Sequence, residues 1–152
     1  MDFLFAFYNT QISNYEALLV KVKSQLWSFS MMRLTTFLIA IFVIYMALGN
    51  AKWILGITIA TIIIFLFLVS RHSDLQYQRD KLLVLININK TEIEVLNRNF
   101  HLLPEGNEFK DPLHSFSQDI DLFGKGSFYQ YVNRTALQHG SETLAVVFTE
   151  NT

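Results

Sequence analysis

The chain of 152 residues contains no cysteine. That excludes a disulfide framework, a thiolate metal site and a cysteine nucleophile. Proline occurs twice, at Pro104 and Pro112, so long stretches on either side carry no proline break. Charge is scarce, with 16% Asp, Glu, Lys and Arg against about a quarter in ordinary domains. It is also unevenly placed, since residues 34–70 hold only Lys52 and the other 24 charges lie outside that stretch. A disordered chain would be polar and charged throughout. The formal net charge is −1, which leaves no global basic field to draw the protein to nucleic acid. Residues 71–152 carry 8 Lys+Arg against 11 Asp+Glu, the wrong sign for a DNA-binding face.

What is abundant is apolar surface: 51% hydrophobic residues, with 14 Phe. Residues 34–49 read LTTFLIAIFVIYMALG and residues 53–70 read WILGITIATIIIFLFLVS. A hydrocarbon core of ~30 Å needs ~20 helical residues. Met31 and Met32 lengthen the first run, and Arg33 can snorkel to the headgroups. The β-branched second run would suit a strand in water, but in lipid only a helix satisfies its own backbone locally. The remaining chain is too small to wrap 37 such residues as a soluble core. Two transmembrane helices are therefore expected, joined by a turn at Asn50, Ala51 and Lys52, with Arg33, Lys52, Trp53 and Arg71 at the membrane interfaces. Seven cations flank the outer ends of the pair (Lys21, Lys23, Arg33, Arg71, Arg79, Lys81, Lys90) against Lys52 alone in the turn. The positive-inside rule then places both termini in the cytoplasm, as expected of a multi-pass inner-membrane protein. The opening MDFLFAFYN lacks a basic n-region and a cleavage site, so it does not read as a signal peptide.

Apolar residues at Ile12, Tyr15, Leu19, Val22, Leu26 and Phe29 follow a 3-4 helical spacing. Leu75, Leu82, Ile86, Ile93, Leu96 and Phe100 follow a similar frame, which Arg79 and Asn89 break. The stripes predict either two helices on the headgroups or an antiparallel pair continuing the membrane hairpin. An interruption is expected at residues 87–89, with Thr91 and Glu94 as a capping box for a restart. The chain thus divides into an amphipathic helix (1–33), a hairpin (34–70), a helix (71–100), a loop (101–126) and short helices (127–152). In the loop, Pro104-Glu105-Gly106-Asn107 predicts a turn with Gly at positive φ. Ser127 with Gln130 predicts a capped helix running to about Gln138, burying Phe128, Val132 and Leu137. Gly140 then reads as a C-terminal glycine, and Ser141 as the cap of a last helix burying Leu144, Val147 and Phe148. By entropy, residues 127–148 look under-packed, hence mobile or ordered by self-association or a helical partner.

Chemistry-bearing patterns are few. His114, Asp119 and Asp121 lie close in sequence, but no third element offers a firm ligand or base, and turn Asp and His commonly satisfy backbone donors. An enzyme acting at the membrane would rest on these three residues alone. Gly124-Lys125-Gly126-Ser127 lacks the spacing of a phosphate loop, so ATP binding is not expected. Asn89-Lys90-Thr91 and Asn133-Arg134-Thr135 match glycosylation sequons by chance. Thr35, Thr36, Thr58 and Thr61 can bond their own helices, so no ion path is indicated.

One stretch is more specific. His114-Ser115-Phe116-Ser117-Gln118-Asp119-Ile120-Asp121-Leu122-Phe123-Gly124 precedes Ser127-Phe128, Asn133-Arg134-Thr135, Gly140 and Leu144-Ala145. It resembles the entry to the core domain of membrane-anchored MutS-like proteins, of the mismatch-repair ATPase family. There a transmembrane hairpin precedes H-x-Y-x-x-D-L-D-L-F-G, S-L-F-x-x-x-N-R-T and T-x-x-G-x-x-x-L-A. Phe116 and Ile120 depart mildly from that pattern, as do Ala136-Leu137 where a Thr stands before Gly140. The resemblance implies an all-α chain: a membrane hairpin, flanking cytoplasmic amphipathic helices, and the truncated start of a MutS-core-like helical domain at 127–152. It implies a non-catalytic anchor, with the ATPase, the clamp and their ATP and Mg found only in longer relatives. No cofactor, metal or nucleic acid is expected to bind this chain, and its partner is the lipid bilayer. The alternative is a self-contained two-span protein serving as accessory subunit of a larger complex.

Overall fold

The structure, a computed structural model, describes residues 2–47, 51–114 and 116–150. Helix α1 spans Asp2–Met46 and α2 spans Ala51–Leu96. A 3-10 turn at Asn107–Phe109 follows, then α3 at Phe128–Val132 and α4 at Gln138–Thr149. The described residues contain helices and turns and no strand. Two compact units divide them: Ala6–Asn89, and Met1–Phe5 with Lys90–Thr152.

The first unit is a helical pair. At ~1.5 Å per residue each helix is about 68 Å long, over twice a ~30 Å hydrocarbon core. Neither helix breaks where its composition changes, so the divisions expected at residues 33/34 and 70/71 fall inside single helices. The expected interruption at residues 87–89 is absent as well, and Thr91 caps nothing. Asn89 points its amide back into its own helix, Nδ2 donating to the Leu85 carbonyl at 2.7 Å, so it does not compete with the ladder. Of the turn expected at Asn50, Ala51 and Lys52, the last two already belong to α2, and Asn50 lies outside the described residues.

Ile12, Tyr15, Leu19, Val22, Leu26 and Phe29 are all buried or half-buried. So are Leu75, Leu82 and Ile86, together with Arg79 and Asn89, which the apolar pattern counted as breaks. The seam continues into the apolar runs through Arg33, Thr36 and Ala40 on α1 and Thr58, Thr61 and Leu68 on α2. The helices are antiparallel. One cleft places Leu18 and Val22 beside Leu82 and Leu85, and another places Thr36, Ala40 and Val43 beside Ile57 and Thr61. The outer faces of the runs, among them Phe37, Ile41, Phe42, Ile63, Leu66 and Phe67, lie open. A core helix of a soluble protein would bury them. Both helices are long and apolar enough to cross a membrane. The four threonine hydroxyls donate to the carbonyl four residues back, at 2.8–2.9 Å, as expected of threonine in an apolar helix.

The second unit has a core that periodicity alone does not reveal. Leu122, Phe123, Tyr129 and Ala145 are buried together, with Phe109, Leu144 and Phe148 packed against them. Tyr129 is the hub, its ring centroid 5.2 Å from Phe123, 5.6 Å from Phe109 and 6.4 Å from Phe148. The 101–126 segment therefore supplies half of this core and is not a bare loop. That corrects the expectation of an under-packed tail, which counted only residues 127–148 against the α2 stripe. Three residues expected inward are instead exposed: Phe128 at 55%, Leu137 at 75% and Val147 at 63%.

Ser127 does cap α3, its Oγ accepting from the Gln130 N–H at 3.1 Å. The helix ends at Val132, short of Gln138, because Asn133 leaves the helical region and turns the chain. Gly140 lies inside α4 and is not a terminus, and Leu137 occupies the capping position expected of Ser141. A Cβ on Gly140 would stand 3.3 Å from Thr135 Cβ, so the glycine serves close approach within this unit. Gly106 has the expected positive φ, 67°, but it serves as the N-cap of the 3-10 turn Asn107–Phe109, and no turn closes over residues 104–107. Helix α2 ends in a Schellman arrangement, with Asn99 N–H donating to the Glu94 carbonyl and Arg98 N–H to that of Val95. Arg98 takes the left-handed position that glycine usually fills, at φ 63°.

Candidate functional site

The motif residues form one hydrogen-bonded scaffold in the second unit. His114 Nδ1 accepts from Ser117 N–H at 3.3 Å, and Nε2 reaches the Thr149 carbonyl at 3.0 Å. The ring thus bridges the turn to the end of α4. Both ring nitrogens are thereby occupied. Asp119 and Asp121 are exposed, and Asp121 adopts φ 47°. Among the described residues no three His, Asp or Glu side chains gather as a metal site. Leu122 and Phe123 go to the core, and Gly124 N–H donates to the Glu105 carbonyl at 2.8 Å at a φ of 116°. Ser115, inside the motif, lies outside the described residues.

Asn133, Arg134 and Thr135 each have a structural task. Asn133 is buried, and its Oδ1 accepts from Thr135 N–H at 3.0 Å and Thr135 Oγ1 at 2.7 Å. Arg134 donates from Nη1 to the carbonyls of Tyr131 and Asn133 at the end of α3, and from Nε to Glu92 on α2 at 2.6 Å. A cation at exposed carbonyls of a helix C-terminus is favourably placed. The buried, bonded Asn133 and Asn89 side chains make both sequons poor acceptors for a glycan.

Gln130 and Tyr129 carry none of the motif's charge, yet both are fully buried. Gln130 Nε2 donates to the Leu103 carbonyl at 2.6 Å and that of His101 at 3.2 Å, and its Oε1 accepts from Gly126 N–H at 2.8 Å. The signal was present in the S-x-x-Q box, but its use across about 30 residues of chain was not. Tyr129 donates its hydroxyl to the Ser141 carbonyl at 3.1 Å. Burial, and then the nearby Glu108 carboxylate, pushes the Tyr129 phenol above its usual pKa. The folded unit thus holds the proton where the unfolded chain, with a phenol near pKa 10, begins to lose it. The contribution is complete below pH ~10 and is lost as pH rises through the folded value. Tyr129→Phe is expected to cost about 1 kcal/mol at neutral pH and to flatten the alkaline limb of stability. Chemical denaturation monitored at pH 7 and at pH 11 checks this.

A cleft of about 260 Å³ lies beside the motif, lined by Lys110, Ser117, Gln118, Asp121 and Phe123. The chain matches no known protein family, no curated protein and no solved structure. The motif is therefore read from its own geometry. His114, Leu122, Phe123, Ser127, Asn133, Arg134 and Thr135 are held by hydrogen bonds or core packing, whereas Asp119, Asp121 and Phe128 stay exposed.

The residues expected at the membrane interfaces lie in the other unit. Arg33 is half-buried in the seam, and Lys52 and Trp53 are exposed. Arg71 stacks its guanidinium over Phe67, 5.9 Å from the ring centroid. His72, which the sequence reading did not single out, sits in the seam with its Nδ1 buried and without a hydrogen-bond partner. Burial, and then the charges of Arg33 and Arg79, hold the His72 pKa below its usual value. The signal for it was its place on the 3-4 frame, three residues before Leu75.

Proposed function

We propose that this chain is a non-catalytic membrane anchor. Its two apolar helix segments cross the inner membrane as a hairpin and hold a small helical head on the cytoplasmic side. The observation that carries this is the open apolar surface of residues 34–70, bounded by seven cations on one side and Lys52 on the other. The head, most of whose motif residues make scaffold contacts, corresponds in this reading to the opening of a MutS-like core domain, a platform for further helices and not a site of chemistry. The resemblance in residues 111–145 supports that part.

Fusions test the topology. A reporter active only in the cytoplasm is expected to be active after Glu150 and silent at Asn50. The opposite pattern overturns the orientation, and release of the chain from membranes by alkaline carbonate overturns the anchor itself. The MutS-like part is tested on the genomic DNA following codon 152. An in-frame Walker A loop supports it, and no such frame removes it.

A further inference from the structure

At the cation-rich end of the hairpin, a groove of about 280 Å³ is lined by Ser30, Arg33, Leu34, Phe37 and Phe65. Its two ends differ in chemistry. Ser30 and Arg33 form a polar end, whereas Leu34, Phe37 and Phe65 continue into the apolar run. Seven helical residues separate Ser30 from Phe37, about 10 Å along the axis. On the spanning reading above, the groove therefore descends from headgroup level into hydrocarbon.

The polar end has an excess of positive charge. Arg33 and Arg79 both occupy the seam between the helices, and Arg71 lies close by in sequence. Asp80 pairs with Arg79, at 2.8 Å from Nη2 and 2.9 Å from Nε. Neither Arg33 nor Arg71 has a carboxylate partner among the described residues. The buried Nδ1 of His72 has no partner either. A half-buried guanidinium beside hydrocarbon is costly unless an anion meets it. A phosphodiester offers two oxygens that suit the guanidinium fork.

The geometry points to a binding site for one anionic phospholipid, its phosphate on Arg33 and Ser30 and an acyl chain along Leu34, Phe37 and Phe65. This rests on the spanning reading. A soluble phosphate would use only the polar end, and an acidic peptide would leave the apolar half of the groove against lipid. The membrane lipid is the occupant that matches both halves.

Native mass spectrometry of the full chain in detergent, titrated with phosphatidylglycerol or phosphatidylcholine, tests the site. One phosphatidylglycerol per chain is expected, retained about tenfold more tightly than phosphatidylcholine. Arg33→Gln should weaken it about fivefold, the effect of one cation near an anionic headgroup. Lys52→Gln, at the other end of the runs, should change nothing. Leu34→Trp, which fills the groove without altering charge, should also weaken retention, so the result does not hang on one variant. Equal retention of the two lipids by the unaltered chain overturns the site, as does unchanged retention in both groove variants. Displacement by millimolar glycerol phosphate would make the ligand a soluble phosphate and overturn the lipid assignment. Alkaline carbonate extraction separates the two readings. A chain that is washed off fails as a spanning protein, whereas one that stays in the membrane without lipid preference fails only at this site.

Discussion

Gly106→Ala is expected to unfold the head while leaving the helical pair intact. Gly106 sits at φ 67°, where a side chain costs roughly 1–2 kcal/mol. Its Cβ would also come within 2.6 Å of Tyr129 Cδ1 and Cε1 and 3.2 Å of Phe123. The Tyr129 ring cannot yield, since it is fully buried among Phe109, Phe123 and Phe148 and held at its hydroxyl by Ser141. Overpacking of this kind adds about 1–3 kcal/mol. Together the two effects approach the whole stability of a unit this small. Gly126→Ala is the control. It shares the positive φ, at 78°, but its nearest neighbour would be 3.8 Å away, so only the backbone cost applies. Hydrogen exchange of the full chain in detergent reads the outcome. The Tyr131 and Asn133 amides, bonded to the Ser127 and Tyr129 carbonyls, should be protected in the unaltered protein and in Gly126→Ala, and lose protection in Gly106→Ala. Unchanged protection in Gly106→Ala would mean that the Tyr129 cluster is not the core of this unit.

Ala40→Lys is expected to prevent the first helix from integrating into the membrane. Ala40 is 8% exposed, midway along the first apolar run, in a cleft it shares with Thr36 and Val43 on its own helix and Ile57 and Thr61 on the other. A lysine at the centre of a membrane helix costs about 2.5–3.5 kcal/mol. Ala40 is buried in the seam, so accommodating the added chain there contributes up to a further ~1–3 kcal/mol. Ala40→Leu carries the packing cost without the charge, so it should still integrate. Carbonate extraction after expression separates the two: Ala40→Lys largely in the wash and Ala40→Leu in the pellet. Retention of both in the pellet would place Ala40 away from the hydrocarbon centre.

Some of this architecture was legible from residue order because the signals act over a few residues. The near absence of charge from residues 34–70 marks the apolar runs, and the 3-4 spacing of Ile12 to Phe29 marks the buried face of α1. Ser127 announces its cap and Gly106 its positive φ. Each of these depends on the residue and its nearest neighbours along the chain. Other features needed the tertiary structure. Asn89 and Arg79 read as breaks in a stripe, yet α2 passes through both, because Asn89 bonds its own helix and a two-helix seam leaves polar ends a route to its edge. Gly140 looked like a helix end, but it lies inside α4, where Thr135 packs close against it. Phe128, Leu137 and Val147 had the right spacing to be core and are exposed, while Tyr129, Gln130 and the loop residues Phe109 and Phe123 do the packing. Helical spacing says which residues share a face. Which face is buried is decided by what the 101–126 segment brings against it, and that is a contact between residues far apart in the chain.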